Sequence, residues 1–142
     1  MKTSDSMALP SEKKRIEELH RDSLNWISEL DFIKDEIRFF KKLLRSYSFE
    51  PTTPNLFEKL QLFRQQMQEV LNRNMEDLDL VRKHENHLSG MQECDQLECD
   101  QAYLLEHDRL GEEIVGHLKK FKKLKKNIFE YTEGILKASR NK

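Results

Sequence analysis

The strongest constraint on the fold is a stripe in the first third of the chain. Ile16, Leu19, Ser23, Trp26, Leu30, Ile33, Ile37, Phe40, Leu44 and Tyr47 follow one another at alternating steps of three and four. That spacing keeps all of them on one side of an α-helix, so the chain opens with a helix packed in coiled-coil fashion. Leu24, Ile27, Phe32, Phe39 and Leu43 flank the stripe. So wide an apolar face needs more than one neighbour, which selects a bundle over a two-stranded seam. Ser11 after Pro10 is placed as the N-cap, and Pro51 stops the helix by Glu50.

The segment "FEPTTPN" breaks the pattern, with Thr53 as the expected cap of a second helix and Pro54 in its first turn. Leu60, Phe63, Met67, Leu71, Leu78, Val81 and Leu88 supply the second apolar face. Asn74 sits at a core-like step, and either His84 or Glu85 falls between Val81 and Leu88. Polar residues at such positions fix register at some cost in stability. A softer break lies between Gln92 and Asp100, where Asp95 with Glu98 resembles a capping box and Asp100 is a rival cap. Beyond it Leu104, Gly111, Ile114, Leu118, Phe121, Ile128 and Ile135 point inward.

Three helices over about 11–48, 55–92 and 100–138 follow, each on the order of 55 Å long at 1.5 Å per residue. Matched lengths and short connections make neighbours antiparallel. The expected fold is therefore all-α, an up-down-up antiparallel three-helix bundle or long coiled-coil rod. It spans residues 11–140 as one domain behind a disordered stretch at 1–10. Only 4 Gly and 3 Pro among 142 residues, with 36% charged, agree with long helices. The N-terminal "MKTSDSMALPSEKK" has no apolar run, so neither a secretion signal nor a transmembrane segment is expected, and the chain reads as cytoplasmic with Cys94 and Cys99 as reduced thiols.

A net charge of −1 hides a division of charge. Residues 94–118 carry one positive and seven negative groups, and residues 119–142 carry nine and two. The basic part centres on "KKFKKLKKNIF", with Lys119, Lys120, Lys122, Lys123, Lys125 and Lys126 around Phe121, Leu124 and Ile128. Such a helix is either a solvated face or a contact for an acidic partner. All six cations are lysines, without the arginines used to read base edges, so nucleic acid and anionic membrane are disfavoured against a protein partner or self-association. The acidic stretch around 95–113 is the second expected contact surface.

All five histidines lie in the acidic half. When 11–48, 55–92 and 101–138 are laid side by side, His20 falls opposite about residue 83, His84 opposite about residue 109 and His107 opposite about residue 86. Near Glu106 and Asp108, His20, His84, His87 and His107 then share one or two turns of height with Glu17 and Glu85. Imidazoles and carboxylates from several helices are what bundles use to hold zinc or iron, so these six residues are the candidate ligands of an alternative, metal-binding reading. A di-iron carboxylate bundle needs two E-x-x-H motifs, and only Glu17 and His20 form one. Cys94 and Cys99 have no second pair to complete a zinc site.

Phosphate-cradling and nucleophile-elbow motifs are missing from the sequence, and H-E-N-H places its second histidine one residue early for a metalloprotease helix. "HENHL" and "LLEHDRL" resemble small, uncharacterised bacterial helical-bundle proteins, in which a histidine–glutamate step precedes the second turn and an acid–histidine step follows it. The likeness covers the second and third helical segments and implies the fold without an activity. Gln101 stands where those relatives would have a histidine. The expected function is a non-enzymatic interaction or structural module acting through a charge-polarised rod, with no cofactor. Its contact residues would be Lys119, Lys120, Lys122, Lys123 and Lys126.

Overall fold

The computed structural model describes residues 10–45, 49–92 and 97–136, and side chains within 16–45, 49–88 and 101–136. Among these residues there are three helices, α1 (Pro10–Leu44), α2 (Leu56–Gln92) and α3 (Leu97–Glu133), and no strand. They pack as an all-α three-helix bundle. The stripe on α1 is buried as its spacing requires, through Leu19, Ser23, Leu30, Ile33, Ile37, Phe40 and Leu44. On α2 the buried seam runs Leu60, Phe63, Met67, Val70, Asn74, Asp77, Val81, His84 and Leu88. Val70 is buried where Leu71 was expected, and Leu71 packs from the flank. On α3 the seam is His107, Leu110, Ile114, His117, Phe121, Leu124 and Ile128; Leu110 and His117 stand one position from the expected Gly111 and Leu118, and Leu104 packs half-buried against Leu19 and Leu88.

The helix ends differ from the expected ones for identifiable reasons. Pro10 is the first residue of α1, so Ser11 lies inside the helix. α1 ends at Leu44, with Arg45 N–H donating to Lys42 O, and the expected extension to 48 falls beyond the described turn. Two proline-led turns then follow. Thr53 N–H donates to Glu50 O across Pro51, and Leu56 N–H donates to Thr53 O across Pro54 and Asn55. Asn55 has φ 58°, the left-handed value that the second corner of a type II turn requires and that asparagine tolerates. Its carbonyl accepts from Lys59 N–H, so Asn55 rather than Thr53 opens α2, and Pro54 precedes the helix. α3 already includes Leu97–Asp100, which removes Asp100 as a cap; Asp95 lies outside the described residues. α3 ends at Glu133, short of 138, because Ile135 O accepts from Glu50 N–H at 2.8 Å and Phe49 pairs with Leu136 in an antiparallel bridge.

The chain divides into two compact units, one of residues 1–31 and 76–114, the other of residues 32–75 and 115–142. In each, one segment of every helix takes part. In the first unit α2 and α3 run antiparallel, since His84 meets His107 while His87 meets Glu106. In the second, Asn74 meets His117 and Phe63 meets Tyr131, which is again antiparallel, while Glu36 meets Lys125 and Phe40 meets Phe129 in parallel. The second unit has an apolar core of fourteen buried residues from Ile33 to Ile135. The first buries Leu19, Leu30, Leu78, Val81, Leu88, Leu110 and Ile114 beside four polar residues, Ser23, Asp77, His84 and His107. By sequence the first unit holds 8 Lys and Arg against 19 Asp and Glu, net −11, and the second 17 against 7, net +10. No helix is long and apolar enough to cross a membrane among the described residues.

Candidate functional site

The first unit gathers four histidines from three helices. α2 buries His84 completely because it falls on the seam between Val81 and Leu88. α3 places His107 at a seam position one turn before Leu110, where the Trp26 ring stacks on it at 4.6 Å. His84 Nε2 and His107 Nδ1 lie 2.8 Å apart in the core. Their outer nitrogens face carboxylates: His84 Nδ1–H donates to Glu106 at 2.6 Å, and His107 Nε2–H donates to Asp22 at 2.9 Å. His87 Nδ1–H donates to both oxygens of Glu106 at 3.0 Å, and His20 Nδ1–H donates to Glu85.

The chain Glu106–His84–His107–Asp22 has a fixed proton count. Two neutral imidazoles own two N–H groups, whereas two outward donors and one bridging donor need three. With both carboxylates ionised, every contact is satisfied only if the pair carries one positive charge. Burial holds the His84 imidazole below its ordinary value, and the neighbouring His107 adds to that, against the pull of Glu106. Burial alone would raise Glu106, yet its bonds from His84 and His87 outweigh it and hold the carboxyl below its usual range.

Of the six candidate ligands, His20, His84, His87, His107 and Glu85 are brought into this layer, while Glu17 is exposed and joined to it by no hydrogen bond or ion pair among the described residues. His20 meets Glu85 rather than residue 83, and His84 meets residues 106 and 107 rather than 109. The shift on α3 follows from its start at Leu97, three residues earlier than expected. Glu106 and Asp22 complete the layer and were not among the candidates. Asp22 gave no signal beyond its place two residues after His20, whereas Glu106 was visible beside His107. Among the described residues no group of three His, Cys, Asp or Glu side chains is placed to hold a metal ion. The side chains of Cys94 and Cys99 lie outside the described set.

His117 belongs elsewhere. In the second unit its Nε2–H donates to Asn74 Oδ1 at 2.9 Å, both buried, and burial followed by Arg73 and Lys120 keeps the ring below its ordinary value.

The lysine cluster also lies in the second unit. Lys125 is half-buried, pairs with Glu36 at 2.9 Å and lies over the Phe121 ring. Lys119, Lys120, Lys122, Lys123 and Lys126 are exposed and have no ion pair among the described residues. Phe121, Leu124 and Ile128, which interrupt the lysines in sequence, are core residues. In the acidic stretch Asp108 and Glu112 are exposed; residues 93–96 are outside the described set. No protein-family model, curated protein or solved structure matches the chain.

Proposed function

We propose that this chain is a non-enzymatic interaction module that contacts an acidic protein partner through the lysine-rich face of α3. One observation carries the reading. Five of the six clustered lysines spend no charge inside the fold, on a unit whose net charge is already +10. Lysines kept exposed and unpaired at that density raise the local concentration of anionic partners.

The test is a titration with a fluorescent polyglutamate peptide, with a DNA duplex as competitor. The expected result is peptide binding that weakens as salt is added and falls at least about tenfold when Lys119, Lys122 and Lys126 are changed to Glu. Binding unaffected by the charge reversal sinks the reading, and stronger binding to the duplex puts a nucleic-acid partner in its place.

A second reading, a bundle that takes up zinc or iron, draws on the convergence of His84 Nδ1 and His87 Nδ1 on Glu106. It requires these donors to exchange hydrogen bonds for coordination. Elemental analysis after incubation with either metal and dialysis decides it. One equivalent per chain, lost in His84→Gln, supports it, and a trace amount ends it.

A further inference from the structure

Three of the four exposed phenylalanines of the second unit lie on α1 and α3. Phe32 is 64% exposed, Phe39 57% and Phe129 52%, in a unit that buries fourteen apolar residues elsewhere. Their positions are related. Glu36 and Lys125 pair across the seam between α1 and α3, and the Phe40 ring meets Phe39 on its own helix at 5.6 Å and Phe129 on α3 at 5.3 Å. Phe32 and Phe39 are seven residues apart and flank this seam from α1. Val115, Lys122 and Phe129 are spaced by seven and flank it from α3. Seven residues are two helical turns, so both lips present side chains at the repeat of a coiled-coil seam, over a length of roughly 10 Å on α1 and roughly 20 Å on α3.

The rim is basic. Lys119 and Lys126 stand one turn from Val115 and Lys122 along α3, and Lys42 stands one turn from Phe39 on α1. All are exposed and without an ion pair among the described residues. The two carboxylates between Phe32 and Phe39 are both paired, Asp35 with Arg38 at 3.5 Å and Glu36 with Lys125 at 2.9 Å.

We propose that the seam between α1 and α3 in the second unit receives one acidic amphipathic helix from a partner protein, with Phe32, Phe39 and Phe129 as anchors and Lys42, Lys119, Lys122 and Lys126 as its charged rim. This rests on the reading of the lysine face as a partner contact and adds the partner's form. Apolar residues at i, i+3, i+4 and i+7 would lie on the phenylalanines, and flanking Asp or Glu would meet the lysines. A second copy using the same face would set lysines against lysines. A flat lipid surface would not use a seven-residue repeat on two facing lips.

The test uses the full chain and a labelled peptide of about three heptads, with Leu at the two seam positions and Glu at most others, against a scrambled peptide of the same composition. The expected result is that the amphipathic peptide binds, gains helical circular dichroism, and loses at least about tenfold in affinity in Phe39→Ala and in Phe129→Ala. Phe57→Ala, which removes an exposed ring from the start of α2, leaves binding unchanged. The thermal midpoints of all three variants report that each has folded. Equal binding of both peptides, insensitive to the phenylalanines, overturns the helix-receiving seam and leaves the lysine-face reading standing. Failure of both peptides, and of polyglutamate, ends the two together. A concentration-dependent dimer lost in Phe39→Ala makes a second copy the occupant and overturns the proposal. So does phenylalanine-dependent binding to anionic vesicles in place of the peptide.

Discussion

His84 is the residue on which the first unit's polar layer turns. It is fully buried, with one ring nitrogen against Glu106 and the other against His107. Replacing it by alanine removes a shared partner from both and leaves the buried His107 Nδ1 facing an empty space. The expected cost is about 3 kcal/mol in urea unfolding, the range for breaking a buried hydrogen-bonded charge network. A loss below about 1 kcal/mol would mean that water takes over both contacts. The same residue gives a pH dependence of definite sign. His84 and His117 both titrate below the ordinary imidazole value of 6.5 in the folded chain. Folded protein then binds fewer protons than unfolded protein at these sites, so their contribution is complete above 6.5 and is lost as pH falls through the folded values. Glu106, held below 4.5, acts in the same direction at lower pH. Urea midpoints measured from neutral to acid pH should therefore decline, and His84→Gln should flatten the upper part of that decline. A midpoint that rises on acidification would contradict these assignments.

At the scale of elements, α3 offers a comparison between two glycines that the helix does not need. A Cβ added at Gly116 meets nothing within 4 Å, whereas one at Gly111 comes to 3.4 Å from the Trp26 ring. Alanine at Gly116 should stabilise by about 0.5–1 kcal/mol through helix propensity and reduced freedom of the unfolded chain. Gly111→Ala should gain less, because Trp26 also stacks on His107 and has little room to retreat. Thermal midpoints of the two variants check the order, and a larger gain at Gly111 would refute it. The heptad stripe of α1 was legible from Leu19 to Leu44, because alternating steps of three and four have one physical solution, while Tyr47 lies outside the described residues. The antiparallel order followed from three matched segments. The ends were legible only where chemistry is local. Pro51 marked the first break, but nothing in the sequence announces that Phe49 and Glu50 reach Leu136 and Ile135, since that pairing is a tertiary event. For the site, periodicity placed four histidines, Glu85 and Glu106 at one height. Asp22 could not be read, since a carboxylate on a solvated flank looks the same whether or not a histidine on another helix faces it. The lysine stretch was plain, while Phe32 and Phe39, read as flanks of a wide apolar face, stand exposed.

For the whole molecule, the two units differ in what holds them. The second rests on fourteen apolar residues with Asn74, His117 and Thr132 as its buried polar members, and only His117 among these titrates. The first buries half as many apolar residues and places His84, His107 and their carboxylates among them. Apolar burial is indifferent to pH, whereas the layer is satisfied at one proton count only. A second proton on the His84–His107 pair sets N–H against N–H across 2.8 Å, and protonating Glu106 weakens its hold on His84 and His87. Acid should consequently open the first unit before the second, even though the same three helices pass through both. Amide exchange measured at neutral pH and near pH 5, expressed as protection relative to the intrinsic rate at each pH, addresses this directly. Protection should fall first over residues 16–31, 76–88 and 101–114, and persist over 33–44, 56–70 and 121–128. His107→Gln should reduce protection in the first set already at neutral pH, since it removes the ring that bridges His84 and Asp22. Uniform loss across both sets would show that the bundle opens as one cooperative body, with the histidine layer only one contributor to its total stability.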